Sequence, residues 1–236
     1  MAFLVQGQES VAPSAGALGQ STAGGEFAFS ADGLTLCTTR GNVSGNLWDV
    51  RTGAKRGALV WGRLDDTTVQ VAAFSWDGES IVAGGDKKLE VWDAKTLRKL
   101  GALDTGTLPV PSRLTFSRDS RSALGTGGGG FQVWDLGRDP EAETVVASVR
   151  QVAIHQDQGR VEFTPDGKSL VSVTRDAGKR GVAVRDAKTL TPRGEVDFEA
   201  LELKPRSFAF RPSEPQLAVG CETRILFDLT RQRWRK

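Results

Sequence analysis

Side chains suited to acid, base or metal chemistry are scarce in this chain of 236 residues, which has one histidine, two cysteines and no tyrosine. A metal site takes three or four ligands, and His155 has no cluster of His or Cys around it. It reads as a loop or capping residue. Asp65 and Asp66 stand together, while Asp32, Asp77 and Asp166 lie in short polar stretches that read as turns. A turn aspartate bonds its own backbone, which leaves it little role in catalysis. No Gly-x-Ser-x-Gly elbow or Cys/His pairing is visible. The run from Gly125 to Gly130 has the composition of a phosphate cradle. It lacks the Gly-Lys-Ser/Thr ending, and no helical pattern follows it. It reads as a flexible turn between strands. No catalytic residue, metal or cofactor is expected, and the chain is expected not to be an enzyme.

Arginine offers a different chemistry, because its planar fork captures carboxylates and phosphates in bidentate fashion. Arg113 and Arg160 each stand three residues before a phenylalanine (Phe116 and Phe163), and Arg206 stands four before Phe210. The stretch Arg231-Gln232-Arg233-Trp234-Arg235-Lys236 interleaves an aromatic with cations, a mix that can stack on bases and touch phosphates. It is short, and Trp234 serves equally well to cover a sheet. With a net charge of +2, nucleic acid is not the expected partner. No apolar run approaches a membrane span, and Ala2–Val5 is too short and lacks the basic flank of a secretory signal. Cys37 and Cys221 read as reduced buried thiols. A cytoplasmic location without membrane contact is the default expectation.

The elements that must position these residues show themselves through repetition. Trp48-Asp49, Trp92-Asp93, Trp134-Asp135, Arg185-Asp186 and Phe227-Asp228 place their aspartates 44, 42, 51 and 42 residues apart. Roughly 20 residues before each lies a second anchor: Phe29-Ser30-Ala31-Asp32-Gly33, Phe74-Ser75-Trp76-Asp77-Gly78, Phe116-Ser117-Arg118-Asp119-Ser120, Phe163-Thr164-Pro165-Asp166-Gly167 and Phe210-Arg211-Pro212-Ser213. A period in the low forties is the mark of a repeat architecture. Each copy reads as four short strands. In the second they are Val71–Phe74, Ser80–Gly84, Leu89–Trp92 and a more polar one over Leu97–Leu103, with Asp-Gly in the first turn. Phe27, Ala72, Leu114, Val161 and Phe208, two positions before each anchor Phe, are expected to be core. A sheet with two apolar faces is stable only when stacked. The expected fold is therefore all-β, a β-propeller of about five four-stranded antiparallel blades. Its repeats run over about 23–61, 62–104, 105–150, 151–198 and 199–236, behind a lead-in over 1–22 rich in Gly, Ser, Ala and Gln.

The Phe-Ser-x-Asp-Gly turns and the Leu47-Trp48-Asp49, Val91-Trp92-Asp93 and Val133-Trp134-Asp135 strand ends resemble the WD40 repeat family. The likeness covers roughly nine-tenths of the chain. Repeats four and five are degenerate, with Val184-Arg185-Asp186 and Leu226-Phe227-Asp228. The family's buried His, Ser/Thr, Asp and Trp set is complete in no repeat, so apolar packing is expected to hold the blades together. Five repeats are few for this family, and the alternatives of a closed ring and an open arc both stand. In a closed ring of the family's type, Ala2–Val5 would complete the last blade, and Cys37 and Cys221 would lie in neighbouring blades. An open arc would leave a sheet face exposed and favour self-association.

The resemblance also implies a layout in which the loops before the first strand and between the second and third strands share one face. It places Arg40, Lys87, Lys88, Arg175, Lys179, Arg180 and Arg224 there, with Arg113, Arg160 and Arg206 around the mouth of the channel. Trp48, Asp49, Trp92, Asp93, Trp134, Asp135, Asp186, Phe227 and Asp228 take structural roles. The implied function is a non-catalytic protein-protein interaction scaffold that binds an acidic peptide or protein segment. The alternatives are an oligomerising segment of a larger propeller and, behind it, a propeller-type enzyme.

Overall fold

The computed structural model describes residues 27–39, 44–60, 70–85, 88–105, 111–127, 130–139, 144–153, 161–176, 179–197, 207–210, 216–220, 224–228 and 233–235. Among them are no helices and twenty strands in five four-stranded sheets, each a simple meander in chain order. Sheet one holds β1 (Phe27–Phe29), β2 (Thr35–Thr39), β3 (Ser44–Asp49) and β4 (Lys55–Val60). Sheet two holds β5 (Gln70–Phe74), β6 (Ser80–Gly85), β7 (Lys88–Asp93) and β8 (Lys99–Asp104). Sheet three holds β9 (Arg113–Phe116), β10 (Ser122–Gly127), β11 (Gly130–Asp139) and β12 (Thr144–Ala153). β12 runs across residue 150, where the spacing ends the third repeat. Sheet four holds β13 (Val161–Phe163), β14 (Ser169–Asp176), β15 (Lys179–Asp186) and β16 (Pro192–Asp197). Sheet five holds β17 (Ser207–Phe210), β18 (Gln216–Gly220), β19 (Arg224–Asp228) and β20 (Arg233–Arg235).

The first anchor makes the turn between the first two strands of a sheet. Its hydroxyl donates to the aspartate two residues on, from Ser30 to Asp32 (2.5 Å), Ser75 to Asp77 (2.5 Å), Ser117 to Asp119 (2.7 Å) and Thr164 to Asp166 (2.6 Å). The same carboxylate oxygen accepts the N–H of Leu34, Glu79, Arg121 or Lys168 at 2.9–3.1 Å. Each turn thus satisfies its own polar groups and fixes strand register. The residue after the aspartate takes a left-handed conformation, and it is Gly33, Gly78 and Gly167 in three copies but Ser120 in the other (φ 60). Ser120 offsets that strain with a bond between sheets, its Oγ accepting the N–H of Asp77 at 3.0 Å. Beside it, Arg118 lies 4.3 Å over the Trp76 ring.

The second anchor's aspartate caps the next hairpin but one. Asp49, Asp93 and Asp186 accept the N–H of Thr52, Thr96 and Thr189 at 2.7–2.8 Å. Four residues past each stand Gly53, Leu97 and Leu190, all with φ near 60–68°. Leu97 therefore belongs to a turn rather than to the fourth strand expected from the sequence, which begins at Lys99. Partial burial offsets its strained backbone, because the side chain packs back against the core shared with sheet one. A Cβ built on Gly57 would clash with Leu97 Cδ1. Asp135 makes no such turn. It accepts the Ser122 hydroxyl at 2.9 Å, and β11 runs on to Asp139.

Packing follows one rule. On sheets two and three the anchor Phe and the second-anchor tryptophan share the side that faces the preceding sheet, and on sheets four and five the anchor Phe lies on that side. Ala28, Cys37, Leu47 and Leu59 of sheet one meet Ala72, Ile81 and Trp92 of sheet two. Val82 and Val91 of sheet two meet Phe116, Ala123 and Trp134 of sheet three. Leu124 and Val133 meet Val161 and Leu170 of sheet four. Val171 and Val184 meet Phe208 and Leu217 of sheet five. Apolar cores thus join consecutive sheets, in line with the expectation of apolar packing. Phe27 breaks the expectation that its register is core. It is 63% exposed, because no described sheet precedes it. Cys37 faces sheet two, the wrong side for a bond to a residue arriving from sheet five, and Cys221 lies outside the described residues. The fourth place in sheet five is held by Arg233–Arg235. Residues 2–5, the expected occupant of that place in a closed ring, lie outside the described residues.

Candidate functional site

Strand register gathers cations at one end of the sheets. A first strand starts beside the end of its second strand, so Arg113 pairs with Thr126. The hairpin between second and third strands ends there too, and it sets Lys88 opposite Gly85, Arg175 opposite Arg180, Lys179 opposite Asp176 and Arg224 opposite Gly220. Arg113 is exposed. Arg40, Lys87, Arg160 and Arg206 lie outside the described residues, as do His155, Asp65 and Asp66.

Arg113 has a built approach. Ser112 N–H donates to Thr126 O at 2.8 Å, and a strap of Pro111 and Ser112 lies directly on β10. A Cβ on Gly125 would fall 2.9 Å from Pro111 Cβ and 2.8 Å from the Trp134 ring, and one on Gly127 would fall 2.6 Å from Ser112 N. Gly125 and Gly127 are strand residues that let the strap settle, whereas their run had read as a flexible turn. Of that run, only Gly128 and Gly129 lie between the strands, outside the described residues.

The reactive groups elsewhere are spent on structure. Bonds from the Ser30 hydroxyl and the Leu34 N–H hold the Asp32 carboxyl below the usual carboxylate range, and Thr52 does the same for Asp49. Burial works against the charge at Asp119 and Asp166, but hydroxyl bonds from Ser117 and Thr164 and backbone N–H bonds outweigh it and leave both lowered. Asp186 is lowered to about 2, first by the Thr189 N–H, and Arg193 pairs with it. Carboxylates so fixed in the ionised form are poor proton donors near neutrality. Burial pushes the Cys37 thiol up to about 12, which leaves almost no thiolate to react. Among the described residues no group of three His, Cys, Asp or Glu stands close enough to hold a metal.

The remaining anchor residues take their places in the strands. Trp48, Trp92 and Trp134, with Asp49, Asp93 and Asp135, end or cross the third strands of the first three sheets, and Asp186, Phe227 and Asp228 those of the last two. Arg185, at the tryptophan register, donates from Nη1 to Leu190 O at 3.3 Å and so ties off its own turn. Two described ion pairs were not legible in the sequence, Arg193 with Asp186 and buried Glu90 with Lys99 Nζ, the latter at 2.5 Å. The signal for Glu90 is its place two residues before Trp92, on the same side of β7.

No protein-family model matches this chain, and no curated protein matches it. Among solved structures, a chain titled Kuenenia stuttgartiensis Hydrazine Synthase superposes with a TM-score of 0.59 at 21% identity, over 83% of this chain and 54% of that one. The present chain thus spans about half the length of that relative, and the likeness is one of fold alone. With its four-stranded blade-like sheets packed in series, this chain has a β-propeller-like fold.

Proposed function

We propose that this chain is a non-catalytic, WD40-like binding scaffold that holds an acidic segment of a partner protein at the sheet ends bearing Lys88, Arg113, Arg175, Lys179, Arg180 and Arg224. The observation that carries this reading is the division of labour among charged groups. The turn carboxylates and the Cys37 thiol are committed to structure, while these cations converge by register on one end. Asp104, Asp176 and Asp197 share that end, opposite Lys88, Lys179 and Gly181, and the cations named above outnumber them. Rigid packed sheets position the loops, and arginine supplies the anchoring bonds. Arg160 and Arg206 belong to the proposal through their register alone.

The test is binding of a fluorescent glutamate-rich peptide at low and high salt. The scaffold binds it in a salt-dependent way, and replacing Arg113, Arg160 and Arg206 together with alanine abolishes binding without altering the thermal melt. Unchanged binding by the triple variant overturns the reading.

A further inference from the structure

The packing rule leaves one surface of each kind without a described cover. On sheet one, the side that would face a preceding sheet carries Phe27 at 63%, Phe29 at 44% and Val60 at 60% exposure. On sheet five, the side that would face a following sheet carries Ala209 and Ala218, both exposed. These two surfaces match an interface the protein already makes. Where sheet one meets sheet two, Ala28, Cys37 and Leu47 receive Phe74, Ile81 and Trp92. By strand pairing, Ala209, Ala218 and Leu226 stand at the places of the first three. Phe29, Leu36 and Trp48 stand at the places of the second three. In both sets two small residues and a leucine stand against two aromatics and a branched aliphatic.

We propose that sheet one of this chain docks on sheet five of a second copy, so that copies assemble head to tail and continue the series of sheets. In a single chain the described residues leave both surfaces uncovered at once, and in this proposal a second copy supplies the complement. The contact is heterologous, with different residues on the two sides, and it therefore propagates into rings or filaments instead of stopping at a symmetric dimer. It uses the faces of the end sheets and leaves the basic end free.

The test is light scattering over rising concentration with Phe29→Glu and Ala218→Glu. Each substitution adds a charge to one exposed face, and cooperative melting checks folding. Val60→Glu replaces Phe29→Glu if the latter does not fold. The wild type grows past a dimer with concentration. Each variant alone stays monomeric, and an equimolar mixture of the two forms a dimer and nothing larger, because each supplies the face the other has lost. A wild type that stays monomeric at every concentration, variants that associate like the wild type, or a mixture that stays monomeric overturns the proposal. A monomer that Phe29→Glu destabilises would assign the face to the chain's own fifth sheet, and overturns it as well.

Discussion

Trp48 and Trp134 hold the same position on the third strands of sheets one and three, yet their surroundings differ. Trp134 is 0% exposed, and its indole N–H donates across the interface to Asp104 O of sheet two at 2.7 Å. Trp48 is half-buried, and its N–H donates within its own sheet to Thr38 Oγ1 at 3.0 Å. The register partner of Thr38 in sheet three is Gly125, whose missing side chain makes room for the ring and for Pro111. The motif is the same, and what decides its role is whether a sheet precedes it.

The sharpest way to break that contrast is to truncate both rings. Trp134→Ala should cost about 3–5 kcal/mol, as large cavities in a core do. Trp48→Ala should cost less, about 1–2 kcal/mol, since part of its ring already meets water. Urea unfolding measures both, and equal losses would mean that Trp48 is covered in solution. Next in size is the glycine that admits the buried ring. Gly125→Ala should cost about 1–3 kcal/mol through overpacking against Trp134 and Pro111, whereas Thr38→Ala in sheet one should cost about 1 kcal/mol for one lost hydrogen bond.

Acid sharpens the comparison further. Sheets one and four have a lowered aspartate in both capped turns, Asp32 with Asp49 and Asp166 with Asp186, while sheet three has one at Asp119. A carboxyl whose folded pKa is depressed stabilises the fold above its unfolded value near 4, and that contribution fades as pH falls through the folded value. Thermal stability should therefore decline below about pH 4 and continue falling toward pH 2, where Asp186 titrates. Asp186→Asn should lower the melting temperature at neutral pH and flatten this acid limb, read by melts at stepped pH. The smallest expected effect is chemical. In a Cys221→Ala background, Cys37 should resist iodoacetamide in the folded protein and react only on unfolding. Rapid labelling would mean that sheets one and two separate readily.

Much of the fold was legible because its determinants are local. The two anchors are turn motifs in which an aspartate satisfies nearby N–H groups, so they mark hairpins in linear sequence. What escaped depends on neighbours. Leu97 reads as a strand residue by apolarity, but its place is set by contact with Gly57 of another sheet. The glycine run reads as flexible because nothing in the sequence shows Pro111 and Ser112 lying across it. Phe27 has the register of a core residue, and only the arrangement of sheets shows it uncovered. The basic end was legible as a set of positions, because register follows from the hairpins.

The cores between consecutive sheets also have a mechanical meaning. An inner sheet is gripped on two sides, whereas an end sheet is gripped on one by the described residues. Under tension along the chain, such an array gives way from its ends, one sheet at a time. Each meander that peels off releases slack and relaxes the load on the rest. A tether built this way lengthens in steps before it fails.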